Sequence, residues 1–269
     1  MSLVSLSPWD LSLAALLVLA LAALSLRLRL GVERRLLIAA VRSTLQLGLI
    51  GLVLKVLFEL SHPAPVAALA LVMLLAAGYE VYARQQRRFR GGWGMGIGTL
   101  SMFVSSFCIT LIALLVIVQP QPWYAPQYVI PLLGMLLGNT MTGTALSLET
   151  LTQTAWRERG AIEARLMLGH HWSEAIGDIR GDALRTGLIP IINAMAAAGI
   201  VSLPGMMTGQ ILAGSPPLEA AKYQLLIMFL IAAGTGFGAM AAVWIGSRHL
   251  FDERERLRLD RLQAPAGKT

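Results

Sequence analysis

The stretch GGWGMGIGTLSMFVSSFCITLIALLVIVQPQPWYAPQYVIPLLGMLLGNTMTGTALSL, residues 91–148, carries no Asp, Glu, Lys, Arg or His. About 20 apolar residues cross the ~30 Å hydrocarbon core of a bilayer, so this block is too long for one crossing. It divides at Gln119-Pro-Gln-Pro-Trp-Tyr-Ala-Pro-Gln127, where the prolines stop a helix and Trp123-Tyr124 suits an interfacial aromatic belt. The block therefore reads as two membrane helices joined by a turn outside the membrane.

The rest of the chain extends the pattern. Of 269 residues, 56% are hydrophobic and 14% charged, against about a quarter charged in soluble domains. Charge-free runs predict an all-α polytopic membrane protein of about seven spans, near 9–26, 36–57, 64–82, 95–118, 128–148, 186–203 and 223–246. No Lys or Arg precedes the first run, so it reads as a span rather than a signal peptide. The expected organisation is one membrane domain over 1–250 and a short charged tail over 251–269.

The basic residues set the orientation. Nineteen of 22 fall after spans 1, 3 and 5 and in the tail, while the 58–63 and 119–127 turns carry none. By the positive-inside rule the N-terminus lies outside and the C-terminus in the cytoplasm. The high pI, near 10.2, therefore reports topology and argues against nucleic acid as a partner. One cysteine, Cys108, excludes a disulfide framework within the chain.

Two segments depart from plain spans. Residues 186–218 are uncharged, too long for one crossing and too short for two, and are broken by Pro190 and Pro204-Gly205. The apolar piece 204–214 reads as a re-entrant or broken element lining a pathway, since irregular backbone at membrane depth needs cover from protein or a water-filled cavity. The other is Glu149–Arg185, whose charges prevent spanning. Its residues Ile162, Leu166, Leu168, Trp172 and Ile176 would give a short helix pair one apolar contact face.

Within that segment, Ile162-Glu-Ala-Arg-Leu-Met-Leu-Gly169 followed ten residues later by Ile179 is similar to the EAA loop of ABC-transporter permeases. Glu163, Ala164, Gly169 and Ile179 match; Arg165 and Gly181-Asp182 depart from the pattern. Arg42-Ser-Thr-Leu-Gln46, Leu133-Gly-Met-Leu-Leu-Gly-Asn-Thr-Met141, Val201-Ser-Leu-Pro-Gly-Met-Met-Thr-Gly-Gln-Ile-Leu-Ala-Gly214 and Lys222-Tyr-Gln224 resemble a family of FetB-type iron-export permeases and plant aluminium-tolerance permeases. The resemblance spans roughly residues 30–250. It implies a multi-pass cell-membrane permease subunit, in bacteria of the inner membrane, working as a homodimer with a separate ABC ATPase that docks on 156–180. ATP and Mg would then sit on that partner and this chain would bind no cofactor. The cargo so implied is a metal ion, iron first, with a nucleotide sugar or another small solute as the alternative.

Other readings are weaker. Gly267-Lys268-Thr269 imitates the end of a P-loop, but the first glycine of that motif would fall at Leu262. An intramembrane enzyme needs a nucleophile and base at membrane depth, and no Gly-x-Ser-x-Gly or mid-span His is present. A partner-independent secondary transporter or channel stays open.

Candidate residues for the translocation path are the polar and thioether groups within or beside spans. They are Arg42 and Gln46 on one helix face, Asn139, Met141, Met206, Met207 and Gln210. Thioethers favour soft ions such as Cu(I), yet Met is equally an apolar filler. Asn139 sits beside Gly134-x-x-x-Gly138, a helix-packing signature. No His-x-x-x-His or carboxylate cluster marks a fixed metal.

Orientation is checked with a reporter active only outside the cell: fused near residue 122 it should work, and near residue 88 or at the C-terminus it should fail. The opposite pattern would reverse every side assignment.

Overall fold

The computed structural model describes residues 7–60 and 62–263; the P-loop-like Gly267-Lys268-Thr269 lies outside them. Eleven helices appear among these residues. They are α1 (Pro8–Arg27), α2 (Glu33–Leu60), α3 (Pro63–Arg84), α4 (Gly92–Met102), α5 (Cys108–Ile112), α6 (Pro126–Arg157), α7 (Arg159–Met167), α8 (Trp172–Ala175), α9 (Gly177–Ala197), α10 (Gly205–Leu212) and α11 (Pro217–His249). Two π-helical stretches, Phe103–Phe107 and Ala113–Val118, join and extend α4 and α5 into one continuous rod.

Six elements are long and apolar enough to cross a membrane: Trp9–Arg27, Glu33–Glu59, Pro63–Arg84, Gly92–Val118, Pro126–Arg157 and Pro217–His249. The span expected at 186–203 is corrected. Its helix, α9, starts nine residues earlier, among Asp178, Arg180, Asp182 and Arg185, and ends at Ala197 before a turn in which Gly199 takes φ +82°. Those charges remove it from the plainly apolar set, although at about 1.5 Å per residue its 21 residues are about 31 Å long.

The chain divides into two units. The first holds α1 and α2, with residues 212–214. Ser7 opens α1 with a capping box shared with Asp10, which satisfies backbone N–H groups at the helix start. The α1–α2 turn is tied by Ser25 Oγ donating to Glu33 Oε2 at 3.0 Å. Most apolar side chains of these two helices are exposed, the surface expected of helices solvated by lipid or by other protein.

The second unit is built round α6, which packs against α3, α9 and α11. One core joins Val81, Ile97, Met102, Leu148 and Leu151 to Ile162, Ile176, Phe251 and Leu262; a second gathers Leu114, Leu136, Ile191, Ile227 and Ile231. Helices in a membrane lack a hydrophobic drive to associate, so close approach through small residues takes its place. A Cβ on Gly187 would overlap Ser147 Oγ and sit 2.6 Å from the Gly143 carbonyl oxygen; one on Gly238 would lie 2.5 Å from Thr140 Cγ2 and 2.9 Å from Ser105 Oγ. The expected Gly134-x-x-x-Gly138 contact is only half made: Gly134 approaches Met73, while a Cβ on Gly138 would meet nothing within 4 Å among the described residues.

Along the rod from α4 through α5, buried residues recur as pairs: 97/98, 101/102, 105/106, 109/110 and 113/114. Several are hydroxyls. Thr110 Oγ1 donates to Ser106 O at 2.7 Å, and Ser106 Oγ lies 3.4 Å from Thr140 Oγ1.

Beyond α11 the chain packs back. Leu250, Phe251 and Leu262 are all buried, and Phe89 bridges Leu262. The described part of the expected tail is thus packed on the bundle, anchored by apolar side chains that its charges obscured.

Gly187→Ala should destabilise the protein by about 1–3 kcal/mol through overpacking, seen as a lower melting temperature in detergent. Gly236→Ala, with one contact at 3.9 Å, should leave that temperature unchanged.

Candidate functional site

The rod from α4, the start of α6, α10 and the start of α11 enclose a cavity of about 340 Å³. Pro204-Gly205 turns the chain into α10, whose one face carries Met206 and, four residues on, Gln210. Both line the cavity, with Met135 from α6, Leu114 and Val118 from the rod, and Tyr128 and Tyr223 towards the helix starts. Gln210 Oε1 is buried and has no hydrogen-bond partner among the described residues. Among the described residues, no charged side chain lines this space, and no group of three or more His, Cys, Asp and Glu could hold a metal ion. The cavity therefore offers transient contacts through thioethers, phenols and amides rather than a fixed metal centre.

The other path candidates are not gathered there. Met207 is half-buried and absent from the lining, and Met141 packs against the larger core. Asn139 is exposed and donates its Nδ2 to the Met135 carbonyl at 2.8 Å; nearby, Thr142 Oγ1 donates to Gly138 O at 3.1 Å. Arg42 and Gln46 are exposed on α2 in the first unit. Sequence reasoning missed Gln127, Tyr128 and Tyr223, which line the cavity but sit at helix starts, where aromatic and amide residues read as interfacial. It also missed Gln224, buried on α11 with an Oε1 that has no partner among the described residues.

The segment 156–180 forms α7, α8 and the start of α9. Ile162, Ile176 and Ile179 are buried, with Leu166 and Trp172 packed beside them, so most of the expected contact face exists. Leu168 is the exception and is corrected: it is 80% exposed, beside Met167 at 83%. The cause is the end of α7. Gly169 takes φ +90°, with its N–H bonded to Leu166 O at 3.0 Å and the His170 N–H to Arg165 O at 3.2 Å. That is a Schellman ending, which turns the chain away before Leu168 can point inward and which favours glycine over residues with a Cβ.

Glu163 and Ala164 lie on α7 and are exposed, Glu163 lining a surface hollow with Met167 and the tail residues Arg254 and Arg256. Arg165, where the chain departs from the EAA pattern, ties α7 to α8 and α9: Nη2 donates to Asp178 Oδ2 at 2.9 Å and Nη1 to Ala175 O at 3.2 Å. In the neighbouring tail, the Arg256 backbone N–H holds the Asp252 carboxyl below its ordinary range. The Arg258 guanidinium lowers Asp260 to about 2. Because both folded values are depressed, what these carboxylates contribute is present above the ordinary carboxylate range and is lost as pH falls through the folded values, which for Asp260 is about 2.

Length, composition and helix packing define a polytopic α-helical membrane protein. The chain belongs to the uncharacterised protein family UPF0014, whose model matches residues 8–251. It is 41% identical to the UPF0014 membrane protein slr1647 of Synechocystis sp., covering 83% of this chain and 85% of that one. It is 30% identical to the Escherichia coli protein named "Probable iron export permease protein FetB" over 94% and 96% of the two chains. It is also 32% identical to the Arabidopsis thaliana "Protein ALUMINUM SENSITIVE 3" over 86% and 83%. No solved structure matches the chain significantly.

In a Cys108→Ala background, Met206→Cys and Gln210→Cys should react with small water-soluble thiol reagents in proteoliposomes. Met102→Cys, in the core, should stay inert. Inertness at all three positions would mean that the cavity is closed to water.

Proposed function

We propose that this protein is the membrane subunit of an ATP-driven exporter, that a separate ABC ATPase docks on 156–180, and that its cargo is a metal ion, iron first. The observation that carries the reading is the end of α7. There two large apolar side chains, Met167 and Leu168, stand exposed beside a Schellman turn, in a segment whose neighbouring charges assign it to the cytoplasm. Burying each would stabilise a complex by about 1.5–3 kcal/mol, and Glu163 beside them supplies a carboxylate for a cationic group on the partner. Export of iron is the role for which the FetB relative is named. ATP and Mg would be held by the ATPase, since this sequence has no complete nucleotide-binding motif.

In this reading ATP binding draws the ATPases together, the coupling segment moves with them, and the cavity at Met135, Met206 and Gln210 alternates between the two sides. A second copy of the chain would cover the exposed polar strip at Asn139 and Asn193, which is costly against lipid. A small organic solute, such as a nucleotide sugar, is the second reading. It is favoured by the two tyrosines and the lack of a lining carboxylate in the cavity among the described residues.

The test is reconstitution with the co-purified ATPase and measurement of ATP hydrolysis on adding Fe(II), other metal ions or nucleotide sugars. Fe(II) should stimulate hydrolysis, and Met135→Leu with Met206→Leu should reduce that stimulation about fivefold or more. Gly169→Val should insert normally yet lose the ATPase, and Glu163→Lys should weaken its association more than Glu158→Lys. Transport that persists without any ATPase would remove the proposal.

A further inference from the structure

The segment after α11 reaches the coupling segment through the carboxylate of Glu255 and the ring of Phe251. Its far end is sewn to the loop before α4, with the Arg90 N–H bonded to Arg261 O at 2.8 Å and the Gln263 N–H to Arg88 O at 2.7 Å. Its near end is a tight hairpin, closed by the Asp252 N–H to Arg256 O at 3.1 Å and the Arg258 N–H to Leu250 O at 2.7 Å. The Asp252 carboxylate accepts the backbone N–H groups of Arg254 and Arg256, both at 2.9 Å. Glu255 stands at the tip with φ +57°, a left-handed conformation that glycine adopts with less strain. From there its Oε2 accepts the Trp172 backbone N–H at 3.0 Å, and its Oε1 lies 3.0 Å from His171 Nε2.

These contacts join α8, the middle of the coupling segment, to the end of α11. The Trp172 ring adds packing, with the Phe251 ring centroid at 5.7 Å and the Arg248 guanidinium carbon 5.6 Å from its centre. From this joint α11 leads back to Tyr223, Ile227 and Leu230, which line the cavity about 30–40 Å away along the helix.

We infer that Glu255 is a positioning residue: through the hairpin 251–257 it straps the coupling segment to α11, so that displacement of the segment by the ATPase is passed along α11 to the cavity. This inference rests on the docking proposed above. Met167 and Leu168 provide the grip on the partner; Glu255 provides the transmission.

The two roles separate experimentally. In the full complex, Glu255→Ala should keep the ATPase bound while the cargo moved per ATP hydrolysed falls about fivefold or more. Glu255→Gln, which retains an acceptor for the Trp172 N–H, should restore most of that ratio, and His171→Ala should fall between the two. Independently of any partner, Glu255→Ala should raise hydrogen exchange at residues 172–175 and 253–257 together by about tenfold, with the centres of α6 and α11 unchanged. Wild-type transport per ATP in Glu255→Ala overturns the strap, as does unchanged exchange at residues 172–175. If the exchange change is seen but no ATPase binds the wild-type protein, the docking proposal fails and the contact stands as a structural latch alone.

Discussion

No side chain separates α6 from α9 where Gly143 faces Gly187, and the rest of the second unit is arranged round that contact. The Gly187 backbone carbonyl oxygen lies 3.0 Å from where a Gly143 Cβ would be. In water such a pair would be a minor detail of a core. In a bilayer, where lipid tails solvate leucine as well as another helix does, close backbone approach is the main source of specific attraction between helices. It lets Ser147, Thr144 and Thr235 enter the interface at almost no exposure. Gly238 does the same for Thr140 and Ser105. The bundle is thus centred on a helix that touches its neighbours through glycines and hydroxyls, while larger apolar groups fill the spaces above and below.

This arrangement decides where a cavity forms. Large side chains occupy the end of the bundle near α7, where Leu148, Leu151, Ile162 and Phe251 meet and the segment 156–180 rests on a dense core. At the other end, α10 is only eight residues long and cannot fill the space between α6 and α11. Gln210 and Met206 reach into what is left. A dense end and a hollow end are joined by α11, which runs past both.

The sequence announced what depends on composition and on single residues. Charge-free runs located six spans because a charge at membrane depth costs several kcal/mol, and no context within the fold overrides that. Gly169 was legible because a helix ending in left-handed backbone is a local event. The start of α9 was not, because Asp182 and Arg185 pair with each other at 2.7 Å and stay on the surface, so helix continues through residues that hydropathy assigns to a loop. The contact between Gly143 and Gly187 joins positions far apart in the chain, and neither glycine differs locally from Gly138, where an added Cβ would meet nothing within 4 Å among the described residues. Met141 and Met206 are likewise indistinguishable as residue types; only packing assigns one to the core and the other to the cavity. The Glu255 contact, which joins residues 83 apart, lay in a tail whose charges suggested solvent.

The two π-helical stretches in the fourth span have a geometric consequence. Its buried pairs recur every four residues from 97/98 to 113/114. On a regular α-helix each residue advances about 100°, so a stripe with that spacing would drift by about 40° per repeat and wind part-way round the helix. Underwinding at Phe103–Phe107 and Ala113–Val118 absorbs the drift. The stripe then stays in phase with α6 and α11, and Ser101, Ser105 and Ile109 meet the bundle along one straight line, without the supercoil that a regular helix with this repeat would need.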